Sequence, residues 1–88
     1  MGNAVKVGDS DTGHGSHPST PVASGSSTVK VDGLPLARQG DPLAPHGHDR
    51  RISSGSSSVL VEGKPAARTG DAVSCGGVVM GGGTVTIG

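Results

Sequence analysis

The sequence predicts an all-β fold: short hairpins in three pseudo-equivalent units, stapled by a metal. Three observations predict it. Residues 25–41 (GSSTVKVDGLPLARQGD) and 55–71 (GSSSVLVEGKPAARTGD) match at eleven of seventeen positions. A third copy is divided between the ends of the chain, GGGTVTIG at 81–88 and AVKVGD at 4–9. No stripe with helical period occurs anywhere. Self-similarity at such a spacing is a fold signature. A unit cut in two at the ends is what a closed three-fold object gives, and a linear solenoid has no reason to divide one.

Each unit reads the same way. Val29 and Val31, Val59 and Val61, and Val85 and Ile87 alternate with polar or small residues. That is period-two strand patterning in β-branched residues. Asp32-Gly33 and Glu62-Gly63 follow at once, in the manner of a hairpin turn. A second short strand is expected at Ala37-Arg38 and at Ala67-Arg68. Gly40-Asp41 and Gly70-Asp71 then turn the chain again. The glycines at 33, 40, 63 and 70 are expected to supply positive φ. Asp9, Asp41 and Asp71 are expected to cap loop amides. Arg38 and Arg68 are expected to pair with carboxylates or carbonyls near those turns. The Ser-rich stretches 24–28 and 53–58 open matching units and read as turns into strands.

Composition says what such a fold lacks. The chain has 88 residues, 17 glycines, no aromatic residue and 31% hydrophobic residues. One domain over 1–88 is expected, with a marginal core. Small domains of this kind carry a staple. Cys75 is the lone cysteine, so no disulfide forms within the chain. A metal or a partner remains. High Gly and Ser content also suits disorder, but the charged fraction of 16% is low for a disordered chain, and the repeats argue against it. Net charge is zero, with no basic patch or stacking platform, so nucleic acid is not an expected partner. No apolar run is long enough for a transmembrane segment, and no signal peptide is visible. The protein is expected to start in the cytoplasm and to leave, if it leaves, by a route that reads the folded form.

Each Gly-Asp turn is followed by a metal-capable side chain: His14 after Asp9, His46 and His48 after Asp41, Cys75 after Asp71. Under three-fold pseudosymmetry, equivalent positions meet at the axis. Three imidazoles and a thiolate suit tetrahedral Zn²⁺ better than Fe²⁺. Four protein ligands close the shell, which marks a structural site rather than a catalytic one. His17 is the alternative to His48. His48 is preferred because only Gly47 separates it from His46. A solvated surface role is the ordinary fate of any single histidine, so the argument rests on the pattern across units.

Residues 65–68 are Pro-Ala-Ala-Arg, with Pro35-Leu36-Ala37-Arg38 in the first full copy. Together with the flanking Gly-Ser-x-x-Val-x-Val-x-Gly and Gly-Asp elements, they make the chain similar to the PAAR-repeat family. The resemblance implies a cone or pyramid of β-hairpins with structural zinc near the vertex, held by three histidines and one cysteine. His14, the Pro-His element at His46, the His-x-Arg-x-Ile element at His48, Arg50 and Ile52, and Cys75 before Gly76-Gly77 match that pattern. It further implies a non-enzymatic tip, a monomer on its own, seated on the trimeric valine-glycine-repeat spike of a type VI secretion system. Related tips occur on contractile phage tails. The tip would aid membrane puncture and effector delivery, be secreted by that system without a signal peptide, and carry any effector non-covalently. Its base is expected to offer strand edges and small apolar side chains to the spike. Two other readings stand beside this one. A zinc-dependent hydrolase would need an open metal position and a general base, and Glu62 is far in sequence from the ligands. A metal-free adhesive or carrier module would keep its fold on loss of Cys75.

Overall fold

The computed structural model describes residues 2–13, 19–44, 50–74 and 76–88. Among them the regular structure is all β, in two-residue strands. In chain order these are β1 (Gly2–Asn3), β2 (Lys30–Val31), β3 (Leu34–Pro35), β4 (Pro42–Leu43), β5 (Arg50–Arg51), β6 (Leu60–Val61), β7 (Lys64–Pro65) and β8 (Thr86–Ile87). They pair antiparallel as β2 with β3, β4 with β5, β6 with β7, and β1 with β8.

The pairing of β1 with β8 joins the divided third unit. Thr86 faces Asn3 and Ile87 faces Gly2, as Lys30 faces Pro35 and Val31 faces Leu34. In the two continuous copies the strands meet through two-residue turns. Asp32 and Gly33 have φ of 54° and 82°, and Glu62 and Gly63 have 55° and 80°. Positive φ at both central positions is the turn whose twist matches paired strands. Gly40 and Gly70 also take positive φ, as does Gly8 in the divided unit.

The second strand differs from expectation. It lies at Leu34–Pro35 and Lys64–Pro65, ahead of Ala37-Arg38 and Ala67-Arg68. A two-residue turn puts the pairing partner directly after it. Ala37-Arg38 and Ala67-Arg68 serve another purpose, which is to bond to the next unit.

Those bonds close a ring. Lys6 bridges Leu36, Arg38 bridges Ala66, and Arg68 bridges Ala4. The Ala37 amide donates to the Val5 carbonyl at 2.8 Å, Ala67 to Ala37 at 3.0 Å, and Val5 to Ala67 at 3.2 Å. A second ring repeats the cycle: Val7 to Pro35 at 2.9 Å, Gln39 to Pro65 at 2.8 Å, and Thr69 to Asn3 at 3.0 Å. One chain thus forms a closed pseudo-three-fold body. Its principal extents of 32, 22 and 21 Å have two nearly equal short axes, as such symmetry requires.

The core follows the same rule. One cluster takes Val31, Val61 and Ile87 from the first strands, with Leu36, Ala66 and Ala4. The other is built on Val5, Ala37 and Ala67, then Val22, Ile52 and Val79, with Leu43 and Val73. Neither apolar cluster uses a side chain larger than leucine or isoleucine, which explains how a chain without aromatic residues packs an interior. The outer valine of each strand stays outside: Val29, Val59 and Val85 are exposed, while Val31, Val61 and Ile87 are buried.

Candidate metal centre and docking face

Three stems continue the chain beyond the rings. The first runs from Ser10 to Val22, with Ser10 bridged to Pro21. The second is β4 with β5, pairing Pro42 with Arg51 and Leu43 with Arg50. The third pairs Ala72 with Val78. Each follows a Gly-Asp turn whose carboxylate accepts a hydrogen bond from the backbone amide three residues earlier: Lys6 to Asp9, Arg38 to Asp41, Arg68 to Asp71, at 2.7–3.0 Å. The side chain of that earlier residue salt-bridges the same aspartate at 2.9, 2.9 and 3.0 Å. The expected cap and the expected arginine pairing are therefore one motif, and Lys6 completes it in the divided unit. The Asp9 carboxyl is partly buried, which alone raises its pKa. Hydrogen bonds from the Lys6 ammonium and from the amides of Gly82 and Lys6, with the Lys6 charge, outweigh burial and hold it below the usual range. Arg38 and Arg68 are raised, chiefly by their hydrogen bonds to Asp41 and Asp71.

The stems also close on one another in a cycle. Val22 bridges Leu43, Ile52 bridges Val73, and Asp11 bridges Val79. The Ala44 amide donates to the Pro21 carbonyl at 2.9 Å, Ser74 to Arg51 at 2.8 Å, and Thr12 to Val78 at 2.9 Å. Gly77 lies so near Gly13 that a Cβ on it would stand 2.7 Å from the Gly13 carbonyl oxygen. His14, His17, His46, His48 and Cys75 lie outside the described residues. Their described neighbours, Gly13, Ala44, Arg50, Ser74 and Gly76, all belong to this one ring of stems. Among the described residues, no group of three or more His, Cys, Asp or Glu side chains forms a metal cage.

One pair of residues was not singled out from the sequence. Asp11 is fully buried, and so is Arg50, whose guanidinium donates to the Asp11 carboxylate and to the Thr20 hydroxyl. The other Asp11 oxygen accepts the Thr20 amide at 2.9 Å. In the stem alignment Asp11 takes the place of Leu43 and Val73, so a carboxylate among apolar counterparts was the available signal.

At the strands of the ring, exposed apolar side chains gather in symmetry-related positions. Val29, Val59 and Val85 form that set; Leu34 and Leu60 are exposed as well, without apolar counterparts in the other units.

A family model described as PAAR motif matches residues 12–81. The chain belongs to the PAAR-motif family. A search of curated proteins returned no match. PAAR membership gives the chain a role of the type VI spike-tip kind, in a structural family associated with secretion machinery. The matched span takes in both continuous copies of the repeat, the second and third stems and most of the first, while the divided third unit that closes the ring, Gly81 apart, lies outside it. Among the described residues, no helix is long and apolar enough to cross a membrane.

Proposed function

We propose that residues 1–88 act as a single PAAR domain that caps the trimeric valine-glycine-repeat spike of a type VI secretion system, aiding membrane puncture and effector delivery. The observation that carries this reading is the closed ring of backbone hydrogen bonds, through which one chain reproduces three-fold symmetry. A single copy can then meet each subunit of a true trimer in the same way. Val29, Val59 and Val85, with Leu34 and Leu60, supply an apolar face for that contact.

One Zn²⁺ is held by His14, His46, His48 and Cys75, with His17 the alternative to His48. Their donor set suits zinc, and the adjoining backbone of all four belongs to one ring of stems. Bound there, the metal supplies a four-way cross-link, worth on the order of 10 kcal/mol or more to folding. The chain's own part is to bring the three stems together and to keep their bases from splaying under load. The role is mechanical, with no catalytic step. The protein leaves the cell with the spike.

Native mass spectrometry of the chain mixed with a trimeric valine-glycine-repeat protein tests the cap. One copy per trimer is expected. Three copies per trimer, or no complex, would overturn the reading.

A further inference from the structure

The Asp11–Arg50 pair is an odd choice for stability. Leu43 and Val73 fill the equivalent places in the other two stems and are buried there without any polar group to satisfy. Replacing a buried ion pair with apolar residues of similar volume is often neutral or stabilising. What the pair supplies that a leucine cannot is direction. One carboxylate accepts from the Thr20 amide and from the Arg50 guanidinium, which also donates to the Thr20 hydroxyl. Two stems are thereby fixed relative to each other at the points where they open.

Those are the two stems that span the longest connections. Asp11 and Thr20 are bonded across residues 12–19, and Leu43 and Arg50 across residues 44–49. In the third stem Val73 and Gly77 bracket only residues 74–76, and the turn is pinned by Gly76 donating to the Val73 carbonyl at 2.9 Å. Longer connections have more conformations to lose. The ion pair joins the two stems that carry the long ones, and Val73 and Gly77 stand at the equivalent places of the stem that carries the short one.

We propose that Asp11, Arg50 and Thr20 form a positioning clasp that presets the segments carrying His14 and His46/His48 for zinc. The inference rests on the zinc reading above. The clasp acts on the metal by setting where two ligand-bearing segments start and end, as outer partners of metal ligands do.

The test is the double variant Asp11→Leu/Arg50→Thr, which gives both positions the residues found at equivalent places, Leu43 and Thr20. Removing Arg50 alone would strand a buried carboxylate and confuse folding with binding. Zinc affinity is measured by competition with a chromophoric chelator, and ligand geometry by the d–d absorption of the Co²⁺-substituted protein. The expected result is a variant that folds at saturating zinc, binds it about 10- to 100-fold more weakly, and has an altered cobalt spectrum. A purely structural pair would change the unfolding temperature and leave that spectrum as it is. Wild-type affinity within twofold, with an unchanged spectrum, would overturn the clasp while leaving the zinc reading intact. A wild-type chain that binds no zinc would overturn both. If the double variant does not fold, Thr20→Val decides, because it removes only the hydroxyl that Arg50 reaches. A weaker affinity with a shifted cobalt spectrum supports the clasp, and a wild-type result there overturns it.

Discussion

Gly25, Gly55 and Gly81 open the three units, and their repetition has a steric cause. A Cβ at Gly25 would lie 2.6 Å from the Leu36 carbonyl oxygen, and one at Gly55 would lie 2.8 Å from the Pro65 Cβ and 2.9 Å from its carbonyl oxygen. Those contacts are with backbone and a proline ring, which cannot move aside. Gly33 is glycine for another reason: its surroundings are open, but its φ is +82°. The two substitutions should therefore differ. Gly55→Ala is expected to cost about 1–3 kcal/mol through overpacking, and Gly33→Ala about 1 kcal/mol through backbone conformation alone. Urea unfolding of the two variants reads the difference. Asp9 makes a second prediction at this scale. Its folded pKa is depressed, so its contribution to stability is complete above the unfolded value, about pH 4. That contribution is lost as pH falls through the unfolded value toward the folded one. Asp9→Asn should be less stable than wild type at pH 7, and the gap should close progressively in melts taken below about pH 4.

At the scale of elements, the two-residue strands are too short to persist alone, and the cyclic bonding makes them cooperative. Val5, Ala37 and Ala67 have no exposed surface and bond to one another in sequence around the ring. Ala67→Leu would force a larger side chain against the other two units. A loss of about 1–3 kcal/mol is expected in denaturant unfolding, as a single transition. Much of this architecture was legible beforehand. The repeat showed three units, Asp32-Gly33 and Glu62-Gly63 showed turns, and the repeated Gly-Asp showed the caps. The placement of the second strand was not legible, because Ala37-Arg38 pairs with a different unit and its partner is far away in sequence. Arg50 was read only as part of a motif, and Asp11 not at all. Their partnership crosses from one stem to another, and seeing it requires the stems to be aligned in space. The four metal ligands rest on the sequence pattern, with the structure adding that the adjoining residues share one ring.

At the scale of the whole molecule, symmetry connects the interior to the surface. The buried triplet Val31, Val61 and Ile87 holds the units together, and the neighbouring triplet Val29, Val59 and Val85 faces outward. A charge placed in the outer set should spare the fold and damage assembly. Val59→Asp is expected to leave the unfolding temperature within about 4 °C of wild type, since exposed sites contribute within about 0.5 kcal/mol, and to weaken binding to a spike trimer about tenfold or more. Titration calorimetry with the trimer reads the second effect. The central claim is that one zinc closes the three stems of this ring. Elemental analysis of protein purified without added zinc, alongside His14→Ala, tests it most directly. The account predicts about one zinc per chain, with the variant losing both the metal and its cooperative thermal transition. A metal-free wild-type chain that still unfolds cooperatively would contradict it.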